Sequence, residues 1–567
     1  MCVPGQILLI YSGDYMTFKK RLAEMLEQAF ANASEKGLVN KSSLPEITIE
    51  RPARPEHGDY ASSLPLKLAR LTGTKPMDIA AAIIKNLPPD SDFDKVTAVP
   101  PGFINFTLSQ KWLADQVDVI CRAGEAYGNI QLEDKSIQIE FVSGNPTGPL
   151  HVGHGRGAVL GSTLANVLKA AGYRVSTEYY INDAGSQLEA FHRSLYSRYL
   201  QALGKEAEVP ANGYHGHYLA NLAGDLVKQY GDKFAAMPED LAIEEIGRIG
   251  IEREMQQIKQ DLETLGVTFD VWFSEQSLFK SGRYDSTMQM LRDGNYIVDR
   301  ENATWFTSST LGEDKDNVLV RSDGTPTYFA SDIAYHYDKF AVRKFDNVID
   351  IWGADHQGHV QRMKVVLNAL GIDPERLEII ICQLVMLRRG KEAVKVSKRS
   401  GDIITLRELL EEVGPDACRF VFLSRSADSQ MDFDLELAIR QSADNPVYYV
   451  QYAHARISSI LRNAAEKGID FSKGDTGLLT AEPELTLIRS MVRMPEIIET
   501  VALSRQPHYL PFYAQDLATV FHSFYKQCRV ISEDADLTAA RLKLVLAART
   551  VLAGTLHLMG MTAPDSM

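Results

Sequence analysis

The chain has 567 residues, 45% hydrophobic and 24% charged, with a net charge of −14, which is enough for several well-buried cores in an ordinary globular protein. No apolar run is long enough to span a bilayer, Gln6 to Tyr11 lacks the basic flank of a signal peptide, and Cys2, Cys121, Cys382, Cys418 and Cys528 follow neither disulfide nor ligand spacing, so a reducing cytoplasm is expected. The net charge counts against a nucleic-acid partner, but residues 1–110 and 446–567 are each balanced in acidic and basic side chains, so either end can still turn a basic face toward RNA.

Residues 1–12 read as an extension. Phe18, Leu22, Met25, Leu26, Ala29 and Phe30 form one helical stripe over 17–33. A strand at 47–50 leads into the polar loop Arg51-Pro52-Ala53-Arg54-Pro55-Glu56-His57-Gly58. Helices are expected near 61–71 and 76–87, and short strands at 96–99 and 103–108 around Pro100-Pro101-Gly102. Residues 1–110 thus make a small α+β domain, followed by a linking helix over 111–126.

Ile137, Ile139 and Phe141 alternate, so 136–142 reads as a strand. Residues 143–149 hold two Gly, two Pro and an Asn and read as a loop. A helix over 150–171 carries Val152, Val159, Leu164 and Leu168 and stops at Gly172. It opens on His151-Val152-Gly153-His154. A helix N-terminus offers unpaired N–H groups and a positive dipole end, a ready anion site. His151 and His154 share a face and can donate to phosphate oxygens, while Gly153 and Gly155 leave the backbone open to a base or ribose. The plainer alternative is a glycine-rich helix packed on a sheet, with surface histidines. A Rossmann loop is disfavoured because its glycines follow the strand directly, and a zinc site lacks further ligands nearby.

A second strand at 174–181 is followed by the turn Asn182-Asp183-Ala184-Gly185. Helices over 187–203, 218–229 and 241–266 form an insertion between halves of a parallel sheet. Residues 318–328 read as a hairpin about Ser322-Asp323-Gly324, with a helix over 329–339 behind it. Strands at 348–352 and 377–384 follow, then the basic tip Arg388-Arg389-Gly390-Lys391 and the stretch Lys395-Val396-Ser397-Lys398. Strands alternating with helices imply an α/β sheet with ligands at the strand C-terminal ends. Beyond 446 the periodicity is helical throughout, over 447–464, 483–504, 511–528 and 539–560, a bundle of domain size. Tyr448, Tyr449, Tyr452, Tyr513 and Tyr525 recur there. Core packing accounts for most of them; stacking on unpaired RNA bases is the functional alternative.

These residues carry a resemblance. His151-Val152-Gly153-His154 resembles the HIGH motif of class I aminoacyl-tRNA synthetases, and Lys395-Val396-Ser397-Lys398 their KMSK motif, in the expected order. Residues 140–156, 179–187, 328–333, 352–359, 445–456 and 560–567 resemble the arginyl-tRNA synthetase family, and the similarity begins near Met16 and covers nearly the whole chain. The resemblance implies a Rossmann-like parallel-sheet catalytic domain over 111–445 with a helical insertion around 187–270. It further implies an N-terminal tRNA-contacting domain over 1–110 and an all-α anticodon-binding bundle over 446–567. It implies activation of L-arginine by ATP, with Mg2+, and transfer from arginyl-adenylate to tRNA(Arg), by a monomer with no tightly bound metal of its own. It places Glu140, Asn145, Tyr328, Asp332 and Gln357 around arginine. ATP is assigned to His151, Gly153, His154, Gly353, Asp355, Lys395, Ser397 and Lys398, and tRNA to Tyr452 and Arg456.

Chemistry suits those assignments. Charge developing at an α-phosphate can be met by histidine donors, departing pyrophosphate by Lys395 and Lys398, and a guanidinium by carboxylates and planar acceptors. A nucleotidylyltransferase shares the His-x-Gly-His helix start but needs neither the second motif nor a helical C-terminal domain. A tRNA-binding paralogue without activity would be expected to lose one of the two motifs, and both are present.

Overall fold

Five short runs rich in β-branched and aliphatic residues assemble into one sheet. The computed structural model describes residues 17–39, 43–394 and 404–567, so the extension at 1–12 and the motif at 395–398 lie outside the described residues. The sheet has the spatial order Leu377–Cys382, Asn347–Gly353, Ser136–Glu140, Arg174–Ile181, Val271–Ser274, and every neighbouring pair is parallel. Parallel strands need covered faces. Ile137, Ile139, Val348 and Ile349 accordingly are buried, packed by helices that include Val152–Ala170. The chain leaves the central strand Ser136–Glu140 toward Arg174–Ile181 on one side and later returns at Asn347–Gly353 on the other. The reversal of strand order opens a crevice at the strand C-terminal ends, where open α/β sheets bind ligands.

Between Arg174–Ile181 and Val271–Ser274 the helices Ser186–Ala202, His217–Tyr230 and Glu239–Thr264 close around their own core of Phe191, Leu195, Tyr199, Leu219, Leu226, Phe234 and Ile246. Ahead of the sheet, Ile49–Glu50, Tyr60–Ser62, Phe103–Leu108 and Phe93–Val99 form an antiparallel four-stranded sheet beside the helix Phe18–Glu35. At the C-terminal end, Pro446–Glu466, Glu482–Met491, Met494–Ser504, Tyr509–Gln527 and Ala535–Leu558 make the helical bundle. Buried Arg419 ties this bundle to helices beside the parallel sheet. Its Nε donates to the Met559 carbonyl, its Nη1 to the Leu265 carbonyl at 3.1 Å and its Nη2 to Ser162 Oγ at 2.8 Å. Gly560, at φ +68°, leaves room for it: a Cβ there would lie 2.5 Å from the Arg419 Cζ.

Several elements differ from the sequence reading, each for a local reason. The strand expected to run to 142 ends at Glu140, because Val142 (φ 70°) and Ser143 (φ 41°) turn the backbone left-handed. That is an uncommon state for a β-branched residue. The hairpin at 318–328 is only a tight turn with a single bridge, Val320 to Pro326; Pro326 has no N–H with which to extend a ladder, and Asn317–Val320 pairs instead with Ala303–Phe306. The helix over 483–504 is two helices, since Pro495 near the start of the second cannot continue the first. The helix near 61–71 begins as a strand, Tyr60–Ser62, and becomes helical only over Leu64–Thr72.

The glycines of Val152–Ala170 have different duties. A Cβ on Gly161 would fall 2.2 Å from Cγ of Phe141, whereas one on Gly157 meets nothing within 4 Å. Gly161→Ala is therefore expected to lower the thermal unfolding midpoint, by overpacking worth about 1–3 kcal/mol. Gly157→Ala should raise it slightly through helix propensity. Parallel melts of both variants check this, and shifts of the same sign would contradict the packing assignment.

Candidate active site

His151 is the N-cap of Val152–Ala170, in extended conformation at φ −108° and ψ 174°. Its Nδ1 accepts from the Gly153 N–H at 3.1 Å, and the His154 Nδ1 accepts from the His151 N–H at 3.2 Å. The rings stack at 3.8 Å between centroids. Because both Nδ1 atoms accept, each neutral ring carries its proton on Nε2. Burial keeps the rings neutral: it lowers the His154 pKa to about 3, helped by His151, and lowers that of His151, with Asp355 pulling the other way. The helix start thus presents two uncharged Nε2–H donors on a positive dipole end.

The two glycines of the motif do not share a role. Gly153 holds the His151 ring close, its absent Cβ leaving 3.0 Å to the ring. The expectation that Gly155 admits a base or ribose is corrected: its open side faces Leu406 and Phe422, so it serves helix packing. Thr405 forms a β-bridge with His151, and the Leu406 N–H donates to the Leu150 carbonyl at 2.7 Å. Thr405 and Leu406, downstream of the second motif, are therefore pinned to the helix start, while Lys395, Ser397 and Lys398 themselves fall outside the described residues. Gly353 ends the strand Asn347–Gly353 next to the crevice, and Asp355 and Gln357 lie exposed on the turn Ala354–His359 behind it.

A cluster of carboxylates gathers near the ends of the same strands. Tyr328 and Asp332 lie four apart on Tyr328–Tyr337. Tyr328 is 45% exposed, with Asn182 beside its hydroxyl. Burial drives the Asp332 pKa up to about 7; Glu140 and Glu275 add to the rise, and His336 and Lys339 oppose it. Glu275, which the sequence reading missed, is buried and bonded by Ser331 and Tyr180, its pKa raised mainly by burial. With the Asn182 amide turned so that its nitrogen faces the carboxylate, it donates to Glu275 Oε2 at 2.9 Å. The signal for Glu275 was its position directly after a strand, but Val271–Ser274 has only four residues and shows no periodicity by itself. Glu140 lies at the floor with both oxygens engaged, Oε2 by Lys339 Nζ at 2.7 Å and Oε1 by Ser143 Oγ at 2.8 Å. Asn145 donates to Gln187 Oε1 at 2.9 Å.

In the bundle, most of the recurring tyrosines are not core, contrary to the sequence reading. Tyr513 is buried and donates to the Ser490 carbonyl, and Tyr449 packs partly buried against the core, but Tyr448, Tyr452 and Tyr525 reach the surface. The helix Pro446–Glu466 is amphipathic, and its tyrosines line the edge of the buried stripe. Tyr448 and Tyr452 stack at 5.9 Å. The Arg456 guanidinium sits 4.9 Å from the Tyr452 centroid and 5.2 Å from that of Tyr525.

Residues 116–458 match the family model described as tRNA synthetases class I (R), catalytic domain; the chain is thus a class I aminoacyl-tRNA synthetase. Residues 17–108 match the arginyl tRNA synthetase N terminal domain and 450–567 the DALR anticodon binding domain. The arginine–tRNA ligase of Dehalococcoides mccartyi (strain CBDB1) is 59% identical over 553 residues, 97% of this chain and 99% of the relative. That of Moorella thermoacetica is 47% identical over 554 residues, again 97% and 99%. The arginyl-tRNA synthetase structure from Thermus thermophilus shares the fold, with a TM-score of 0.77 at 22% identity, covering 97% of this chain and all of that one. The chain belongs to the arginine–tRNA ligases: it is an ATP-dependent ligase that charges tRNA with arginine.

Proposed function

We propose that arginine and ATP meet across the crevice, with the guanidinium in the carboxylate pocket and the α-phosphate at the helix start. Asp332, Glu275 and Tyr328 receive the guanidinium, Glu140 forms the floor beneath it, and Asn145 and Gln357 attend the α-amino end. Gly153, Gly353 and Asp355 bound the nucleotide, and Lys395, Ser397 and Lys398 receive its β- and γ-phosphates. Magnesium would be carried by the nucleotide phosphates and would help to neutralise their charge, since this strongly hydrated ion is seldom held by an all-protein cage.

The arginine carboxylate oxygen attacks the α-phosphorus, the bond to the β-phosphate oxygen breaks, and pyrophosphate leaves with the electron pair. His151 and His154 donate Nε2–H bonds to the α-phosphate oxygens as their charge grows. Neutral donors suit this task because no proton need be lost to hold them in place. Orientation supplies much of the remaining acceleration. A terminal ribose hydroxyl of the tRNA then attacks the activated carbonyl, and AMP departs. The observation that carries this reading is the stacked histidine pair, with both Nδ1 atoms tied to the backbone. His154→Ala is expected to slow arginyl-adenylate formation about 100-fold or more with little change in arginine affinity. Activation near the parent rate would make His154 a structural cap.

Titration of Asp332 gives a second check. A carboxyl that is neutral below about pH 7 when empty must ionise to pair with a guanidinium. Arginine binding then releases a proton, and affinity falls as pH drops through neutrality, by at most about tenfold per unit. Asp332→Asn should weaken arginine binding and flatten that dependence, as read by the arginine KM against pH.

The bundle reads the anticodon loop, with Tyr452 as a stacking platform and Arg456 at phosphate, and residues 1–110 contact the tRNA elsewhere. Paired, partly exposed rings flanked by a guanidinium fit single-stranded bases. The enzyme acts as a monomer in the cytoplasm, in keeping with free thiols at Cys121, Cys382, Cys418 and Cys528. Tyr452→Ala is expected to raise the KM for tRNA about tenfold, from loss of one stacked base, while the KM for arginine and for ATP stays put. Insensitivity of charging to both this change and to anticodon-loop substitutions would reduce the bundle to scaffolding.

A further inference from the structure

Glu140 and Asp350 are register partners on adjacent parallel strands, and both carboxylates are buried. Two anions so placed destabilise the sheet unless a cation joins them. Lys339 is that cation: its Nζ donates to Glu140 Oε2 at 2.7 Å and to Asp350 Oδ1 at 2.8 Å, its side chain is 0% exposed, and it lies 4.2 Å from the Tyr335 ring centroid. It reaches the interior because the helix Tyr328–Tyr337 opens into a π turn over Asp338–Val342. Such turns recur at functional sites. The second Asp350 oxygen meets His336 Nε2 at 2.7 Å, and His336 Nδ1 meets the carbonyl of Asp332 at 2.7 Å. A chain of contacts therefore runs from the floor of the pocket to the backbone of the residue that faces the ligand.

We propose that Lys339 is a positioning residue for arginine selection: by neutralising Glu140 and Asp350 it leaves the pocket above as a seat for one guanidinium, centred on Asp332. The inference rests on the arginine seat proposed above. The groups facing Asp332 are Glu140 from the central strand, Tyr180 from the next, Glu275 directly after the edge strand Val271–Ser274, and His336 and Lys339 from its own helix and the π turn; Asp350 stands behind His336. Glu140 and Glu275 disfavour the Asp332 carboxylate, while His336 and Lys339 favour it. Removing Lys339 leaves Glu140 and Asp350 uncompensated, so Asp332 holds its proton to higher pH and no longer pairs with the guanidinium at neutrality. A merely structural lysine has no such consequence, because lost packing does not recover with alkali.

Aminoacylation by the full-length enzyme, with tRNA saturating, tests this. Lys339→Met is expected to raise the arginine KM about fivefold at pH 7, the effect of roughly one unit of displaced titration on a carboxyl that titrates near neutrality, with the ATP KM unchanged. The ratio of variant to parent KM should fall toward one as the pH is raised, and Lys339→Arg should behave as the parent. If Lys339→Met does not fold, Lys339→Met/Asp350→Asn, which removes a cation and an anion together, is read in the same way. Equal rises in arginine and ATP KM, a ratio independent of pH, or an unchanged arginine KM each overturns the proposal. Failure of the seat itself looks different: Asp332→Asn would then leave arginine KM and its pH dependence untouched in the parent background.

Discussion

Two parallel strands that end at the crevice each carry a buried carboxylate, Glu140 and Asp350, and a single buried ammonium holds both. This contact constrains everything above it. Breaking a buried pair by deleting one partner costs about 3–5 kcal/mol, because an uncompensated charge is left behind. Replacing all members by apolar side chains would often be neutral or better for stability. An arrangement that is costly to build and unnecessary for a sheet is what the proposed arginine seat above it requires. Arg343, bonded to Glu178 and Asp338 under the same helix, extends the buried charge network across the neighbouring strand.

A second constraint joins the units. Buried Arg156 on the histidine-capped helix donates to the carbonyls of Gln383 and Ser426 at 2.7 Å each. Arg419 bonds the same helix through Ser162 and Thr163, and the end of the bundle through Met559. Neither guanidinium has a carboxylate among these partners, so each depends on oriented carbonyls and hydroxyls. Such fixed geometry suits junctions that transmit displacement rather than absorb it. The N-terminal unit is held to the bundle by charge instead: Arg51 and Tyr60 both bond Glu496, and Arg489 bonds Asp59.

Legibility of the site followed the range of the interactions. The histidine pair could be read from sequence because its chemistry is local: an N-cap, a residue three further on, and a helix dipole. Tyr328 and Asp332, four apart on one helix, were legible for the same reason. Glu275 and Lys339 were not, since one follows a strand too short to show alternation and the other enters the interior through a π turn that breaks the helical period. The tyrosines of the bundle were misjudged because spacing alone does not tell which edge of an apolar stripe stays uncovered.

By itself the sequence determined the fold class, the order of its elements, the histidine-capped helix start and the family, because local periodicity, turn chemistry and short motifs all report on neighbours in the chain. The tertiary structure decided what depends on distant residues. It set the strand order that opens the crevice, the neutral state of His154 and the raised titration of Asp332. It also assigned Gly155 and Gly161 to packing and brought Lys339 between two strands. Burial and charge pairing are properties of the assembled surroundings, and residues hundreds of positions apart supply them.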